Sequence, residues 1–206
     1  RPKNDTIFMD FEACDSVLAG TYTLGTGGNF TDLNSLLSLI NNCGIGGPVV
    51  IEMLPGRYDV MEFDGYIPGT DSVNTITFTS YRGDIDRVVI EARSGTEATI
   101  TISGGAANLI FDKLTVNGCM ERGPRVSTAF DLRACENITI KRCSINVNPE
   151  GDGMGFDYAG ISSLGQDAIF YNLLIDSCTI LGAQYGIATD HPATGENELF
   201  YVRNNY

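Results

Sequence analysis

Four segments of the chain align without gaps: NLIFDKLTV at 108–116, NITIKRCSI at 137–145, NLLIDSCTI at 172–180 and LFYVRNNY at 199–206. Their starts lie 29, 35 and 27 residues apart, and a weaker copy begins at Asn74. Within each copy the apolar residues alternate. Leu109 and Phe111 share a side, as do Ile138 and Ile140, Leu173 and Ile175, and Phe200 and Val202. A strand with one buried face requires that period. After a two-residue corner, Leu114 and Val116, Cys143 and Ile145, and Cys178 and Ile180 point inward again. Further short strands read at 88–90, 99–102, 129–132 and 160–162. A hairpin meander would need tight turns between partners, and that signal, Asn117-Gly118, is isolated. Short strands that all feed one interior predict a solenoid instead. Each strand then pairs in parallel with its counterpart one coil away, at about 4.8 Å.

This geometry sets up columns. Asn108, Asn137 and Asn172 are predicted to stack at one corner, where Asn tolerates left-handed dihedrals and its amide bonds the next rung. Asp112, Lys141, Asp176 and Arg203 form an outward column of alternating sign, which favours one register. Exposed pairs of this kind add only about 0–1 kcal/mol each. Cys143 and Cys178 stack inward as a thiol pair or a disulfide. Their parallel side chains are poor disulfide geometry, which favours free thiols.

Residues 1–20 show no period and read as a linker or edge segment, leaving 21–206 as one β-solenoid domain. A strand at 21–24 precedes the one convincing helix, about 31–42, whose face is Leu33, Leu36, Leu37 and Ile40. Thr31 or Asp32 suits its start and Gly44 its end. A strand at 49–54 follows.

The 206 residues carry 26 acidic and 13 basic side chains, a net charge of −13. That balance excludes nucleic acid and an anionic membrane surface as partners, since both are held by Lys and Arg. No apolar run approaches the roughly 20 residues of a membrane span, so no membrane insertion is expected. Six Cys show no CxxC spacing and the single His191 lies near none of them, which argues against zinc. Their even count allows disulfides in an oxidising compartment. Cys14 with Cys43 would tie the N-terminal segment to the helix, and Cys119 with Cys135 would close a side loop. The start at Arg1-Pro2-Lys3-Asn4 is no signal peptide and reads as a processed piece. Asn29 lies in an N-glycosylation acceptor pattern. Asn137 does too, but the ladder explains it better.

From about residue 21 onward, these columns resemble the right-handed parallel β-helix proteins of the pectin-lyase-like superfamily. Residues 19–25, the helix and 47–58 look like the N-terminal coil of secreted or surface β-helix proteins of Bacteroidetes-type bacteria, often exported by a type IX system. The resemblance implies an all-β, right-handed parallel β-helix with a short capping helix at its N-terminal end. It also implies a secreted or bacterial cell-surface location. Asp5-Thr6-Ile7, Asp15-Ser16-Val17 and Asp71-Ser72-Val73 fit the short O-glycosylation pattern of such bacteria, making Thr6, Ser16 and Ser72 candidates. The fourth copy stops inside a repeat, so a protein partner or further solenoid coils are expected at the C-terminal end.

The superfamily includes enzymes. Gly56-Arg57-Tyr58-Asp59 and Gln166-Asp167-Ala168 depart from the pectin methylesterase blocks, and the polygalacturonase blocks do not occur. Asp112 and Asp176 are expected two coils apart, roughly 9–10 Å, with Lys141 between them. Lys141 flanked by two carboxylates has the elements of a lyase site, a base and a place for a cation. The competing reading is a salt-bridge ladder. Asp152 and Asp157, in a Gly-rich acidic run, are candidate Ca²⁺ ligands or part of a solvated loop. No other cofactor is expected. Tyr171 and Tyr201, with Arg203, are candidates for contact with a polysaccharide or surface glycan, or they stack between coils. These readings favour a non-catalytic extracellular module acting as adhesin, stalk or glycan-contacting surface. The alternatives are a polysaccharide lyase or glycoside hydrolase, and a passenger held by a secretion or surface-assembly machine.

Overall fold

Alternation of this kind buries every second side chain in one interior, and the computed structural model realises it as three parallel sheets. It describes residues 14, 17–92, 96–118, 128–147, 159–164, 168–189 and 199–206. Strand β1 (Leu18–Leu24) leads into helix α1 (Leu33–Cys43), and β2 (Ile45–Met53), β3 (Gly56–Tyr58) and β4 (Met61–Asp64) make the first turn. The second turn is β5 (Ile76–Ser80), β6 (Val88–Glu91) and β7 (Ala98–Ser103). The third is β8 (Ala107–Asp112), β9 (Thr115–Asn117) and β10 (Thr128–Leu132), and the fourth is β11 (Cys135–Lys141), β12 (Ser144–Asn146) and β13 (Ala159–Ser163). The fifth is β14 (Phe170–Asp176), β15 (Thr179–Leu181) and β16 (Tyr185–Thr189), after which β17 (Phe200–Arg203) opens another.

The first sheet has the order β1-β2-β5-β8-β11-β14-β17, and each of the other two stacks one strand per turn. Every pairing is parallel, with Ile138 between Leu109 and Leu173 and Ile140 between Phe111 and Ile175. The chain is therefore an all-β parallel solenoid, a β-helix. Two sequence readings shift by a step. Strand β1 starts at Leu18, before the Thr21 boundary, because Leu18 is buried and pairs with Ile45. Ile76 pairs with Leu109, so Thr75, not Asn74, stands one coil from Asn108.

The interior is an apolar, closely packed column. Phe78 stacks on Phe111 at 5.8 Å between centroids, and Phe63 and Phe130 meet Phe111 edge-on at 6.1 and 5.4 Å. Such pairs add about 0.5–1.5 kcal/mol each beyond the area they bury. Helix α1 buries Leu33, Leu36, Leu37 and Ile40 against this core. Asp32 caps it by accepting from Ser35 N at 2.8 Å, and Gly44, at φ 72°, ends it with its N–H on Ile40 O. A Cys14–Cys43 disulfide fastens the segment before β1 to the helix end across a separation of 29 residues. Closing a loop of that length stabilises by roughly 3–4 kcal/mol in the chain-entropy account. At the other end, Phe200 and Val202 continue inward columns yet stay 40% and 46% exposed, because no described strand lies beyond β17.

Candidate functional site

The outer face of the first sheet carries most of the residues singled out by sequence. Its two outward columns are Thr77, Ile110, Thr139, Leu174, Tyr201 and Thr79, Asp112, Lys141, Asp176, Arg203. Lys141 sits in register between Asp112 and Asp176, and Asp176 is followed by Arg203.

The ion pairs do not follow that column throughout. Arg142, the next residue along, takes Asp112 with both ends of its guanidinium, Nε to Oδ1 at 2.8 Å and Nη2 to Oδ2 at 2.5 Å. That two-point geometry is the strong form of the contact, and it raises the Arg142 pKa, with the hydrogen bond to Asp112 as the main cause. Arg142 reaches Asp112 from a corner at φ 52°, the left-handed turn repeated at Lys113, Ser177 and Asn204. Asp176 accepts from Arg203 Nη2 at 3.0 Å, Asn204 Nδ2 at 3.1 Å and Ser177 Oγ at 3.0 Å. Arg203, then Asn204, hold its carboxyl below the usual carboxylate range. Lys141 makes no ion pair among the described residues. The salt-bridge ladder therefore forms with cations other than Lys141. The corner dihedral brings Arg142 onto Asp112, and Arg203 serves Asp176.

Both carboxylates of the candidate acid pair are thus committed to guanidinium groups. Tyr201 and Arg203 project from the same face of β17, while Tyr171 lies across the Asn corner, in register with Glu136. The Asn corner forms as expected. Asn137 Nδ2 donates to Asn108 Oδ1 at 3.1 Å and Asn172 Nδ2 to Asn137 Oδ1 at 2.7 Å, with all three at φ between 52° and 62°. A shorter ladder, Asn146 Nδ2 to Asn117 Oδ1 at 2.9 Å, lies at the end of the second sheet.

Cys135, Cys143 and Cys178 are free and buried. The pairing of Cys135 with Cys119 is therefore corrected: Cys135 opens β11 inside the core, 2% exposed, and burial pushes its pKa up to about 12. Burial likewise raises Cys143 well above an ordinary thiol. Cys119 lies outside the described residues, as do Thr6, Ser16, Asp152, Asp157, Tyr158 and His191. Among the described residues no group of three or more His, Cys, Asp or Glu is placed to hold a metal ion. Asn29 Oδ1 accepts from Thr23 N and Oγ1 at 2.8 and 2.9 Å, closing the turn after β1. Ser72 lies exposed on the turn before β5.

Two features escaped the sequence reading. One is Arg142. The other is Asp131, on the outer face of β10, where outward residues are usually wet. Its side chain is 8% exposed, ion-paired to Arg133 and 3.4 Å from Ser162 Oγ. No motif marks it.

Among solved structures the chain resembles a rhamnogalacturonan lyase, with 13% identity and a TM-score of 0.43 over 79% of this chain and 51% of that one. The chain thus spans about half the length of that structure. No family model matches the chain, and no curated protein matches it in sequence. The parallel three-sheet coil described above is a β-helix. No described helix is long and apolar enough to cross a membrane.

Proposed function

We propose that the chain is a non-catalytic, extracellular β-helix module whose first sheet presents a glycan-contacting face. The observation that carries this reading is the commitment of Asp112 to Arg142 and of Asp176 to Arg203 on that face. A carboxylate held at two points by a guanidinium has its oxygens occupied and is not free to serve a substrate. What remains is a parallel face of mixed polar and apolar side chains with Tyr201 51% exposed at its edge. The Cys14–Cys43 disulfide supports an oxidising, extracellular compartment. In this reading the winding is right-handed, as parallel crossovers nearly always are. Helix α1 closes the N-terminal end of the hollow.

A second reading, polysaccharide lyase, is favoured by one observation: Lys141 has no ion-pair partner among the described residues, and lyase chemistry needs an available base. One assay separates the two. The protein is incubated with polygalacturonate, alginate and chondroitin in the presence of Ca²⁺, and unsaturated product is followed by absorbance. The proposal expects no signal. Product formation that Lys141→Ala abolishes would replace it with the lyase.

A further inference from the structure

A groove of about 190 Å³ runs beside the Asn ladder on the outer face of the first sheet, and no residue lining it is ionisable. Its polar wall is Ser72, Thr75, Asn108, Asn137, Thr139 and Asn172, and Ile110 supplies an apolar floor. In a chain with 26 acidic and 13 basic side chains, an uncharged groove is a marked local departure. The nearest charges on the same sheet, Glu136 on one side and Asp112 and Lys141 on the other, lie outside the lining.

Several hydroxyls outside the groove are already engaged, whereas those lining it are not. Thr70, Thr99, Thr115 and Thr128 each donate to a backbone carbonyl, and Ser103 donates to Asp64. Ser72, Thr75 and Thr139 make no side-chain hydrogen bond to the described protein. The ladder also ends with spare capacity. Asn172, its exposed last rung, spends one N–H on Asn137, which leaves a second N–H and the carbonyl oxygen for an outside partner. The wall is rigid. Asp71 Oδ1 accepts from Val73 N and Asn74 N at 2.7 Å each and Oδ2 from Asn74 Nδ2 at 2.9 Å, which pins the turn that carries Ser72.

We infer that this groove binds one neutral sugar ring, with its hydroxyls and amides on the ring's hydroxyls and Ile110 under an apolar C–H face. The inference rests on the glycan-contacting reading above and gives it a site and a ligand class. Pockets for drug-sized ligands measure roughly 300–1,000 Å³, so a groove of 190 Å³ suits a single ring. With no cation in the lining, a uronate gains nothing there and meets the field of a chain of charge −13.

The test uses the whole chain and four probes: methyl β-glucopyranoside, methyl β-galactopyranoside, methyl β-glucuronide and a panel of soluble polysaccharides. Saturation-transfer NMR is expected to show at least one neutral glycoside bound, with a dissociation constant of about 1 mM, and the glucuronide bound more weakly. Thr139→Glu and, on the exposed turn, Ser72→Glu should each weaken the neutral glycoside about tenfold or more, with circular dichroism unchanged. Equal binding in both folded variants, or preference for the glucuronide, overturns the groove assignment. Retention of a polysaccharide by those variants, equal to that of the parent chain, overturns the groove and leaves the glycan-contacting reading standing. Failure of the parent chain to bind any glycoside or polysaccharide overturns both.

Discussion

Arg142, and not Lys141, holds Asp112: its Nε lies 2.8 Å from Oδ1, although Lys141 is the residue in register with that acid. The two cations are therefore separable. Arg142→Ala should lower unfolding stability by about 1 kcal/mol, the upper end for a partly exposed pair with two-point geometry. Lys141→Ala should change it by less than about 0.5 kcal/mol. Urea denaturation of both variants checks the ranking, and a larger effect at Lys141 would reverse the assignment.

The Asn ladder makes a stricter demand. Asn137 sits at φ 53°, donates to Asn108 and accepts from Asn172. Asn137→Ala loses both bonds and places an L-residue with a plain methyl in the left-handed region, at a combined cost of about 2–4 kcal/mol. Asn137→Gly loses the bonds but relieves the dihedral, so its cost should be smaller by about 1 kcal/mol. Equal destabilisation by the two would show that the dihedral contributes nothing.

Acid should weaken the fold through specific carboxylates. Hydrogen bonds from Ser35 lower the pKa of Asp32, those from the Asn74 and Val73 amides lower Asp71, and Arg203 lowers Asp176. Each group has a native pKa below its unfolded value of 3.8, so the unfolded chain binds more protons in that window. Their contribution is complete above the unfolded value and is lost as pH falls through the native ones. The urea midpoint should hold steady from about pH 6 to 5 and drop below about pH 4. Asp176→Asn should flatten part of that drop. A midpoint independent of pH down to about 2.5 would contradict these assignments.

The buried thiols predict a protection pattern. Cys135, Cys143 and Cys178 are at most 2% exposed, and burial raises Cys135 to about 12 and Cys143 well above the ordinary thiol value. Reaction needs an accessible thiolate. Peptide mapping after iodoacetamide treatment at about pH 8 should find all three unmodified in the native chain and modified after denaturation. Labelling of Cys143 or Cys178 without unfolding would mean that the coils part locally.

What could be read in advance follows a physical division. The columns of β8, β11 and β14 were legible because a two-residue period and a buried face admit one register. The Asn corner was legible because Asn recurs at the same place in three copies and its amide can bond the next rung. Arg142 was missed because its position depends on a left-handed corner that Lys113, Arg142 and Ser177 adopt with no residue type to announce it. The slip from Asn74 to Thr75 has a similar origin: Asn74 is drawn into the turn with Asp71, and a different residue fills its rung. The groove was invisible because its walls come from a turn near residue 72 and strands of later coils, and only the stacking brings them together.

The parallel register supports everything above, and cross-strand NOEs from Thr139 test it most directly. The account predicts backbone contacts from Thr139 to both Ile110 and Leu174, its partners in β8 and β14, in a parallel pattern. Contacts from Thr139 to an antiparallel strand adjacent in sequence, with none to Ile110 or Leu174, would contradict the solenoid and every site placed on it.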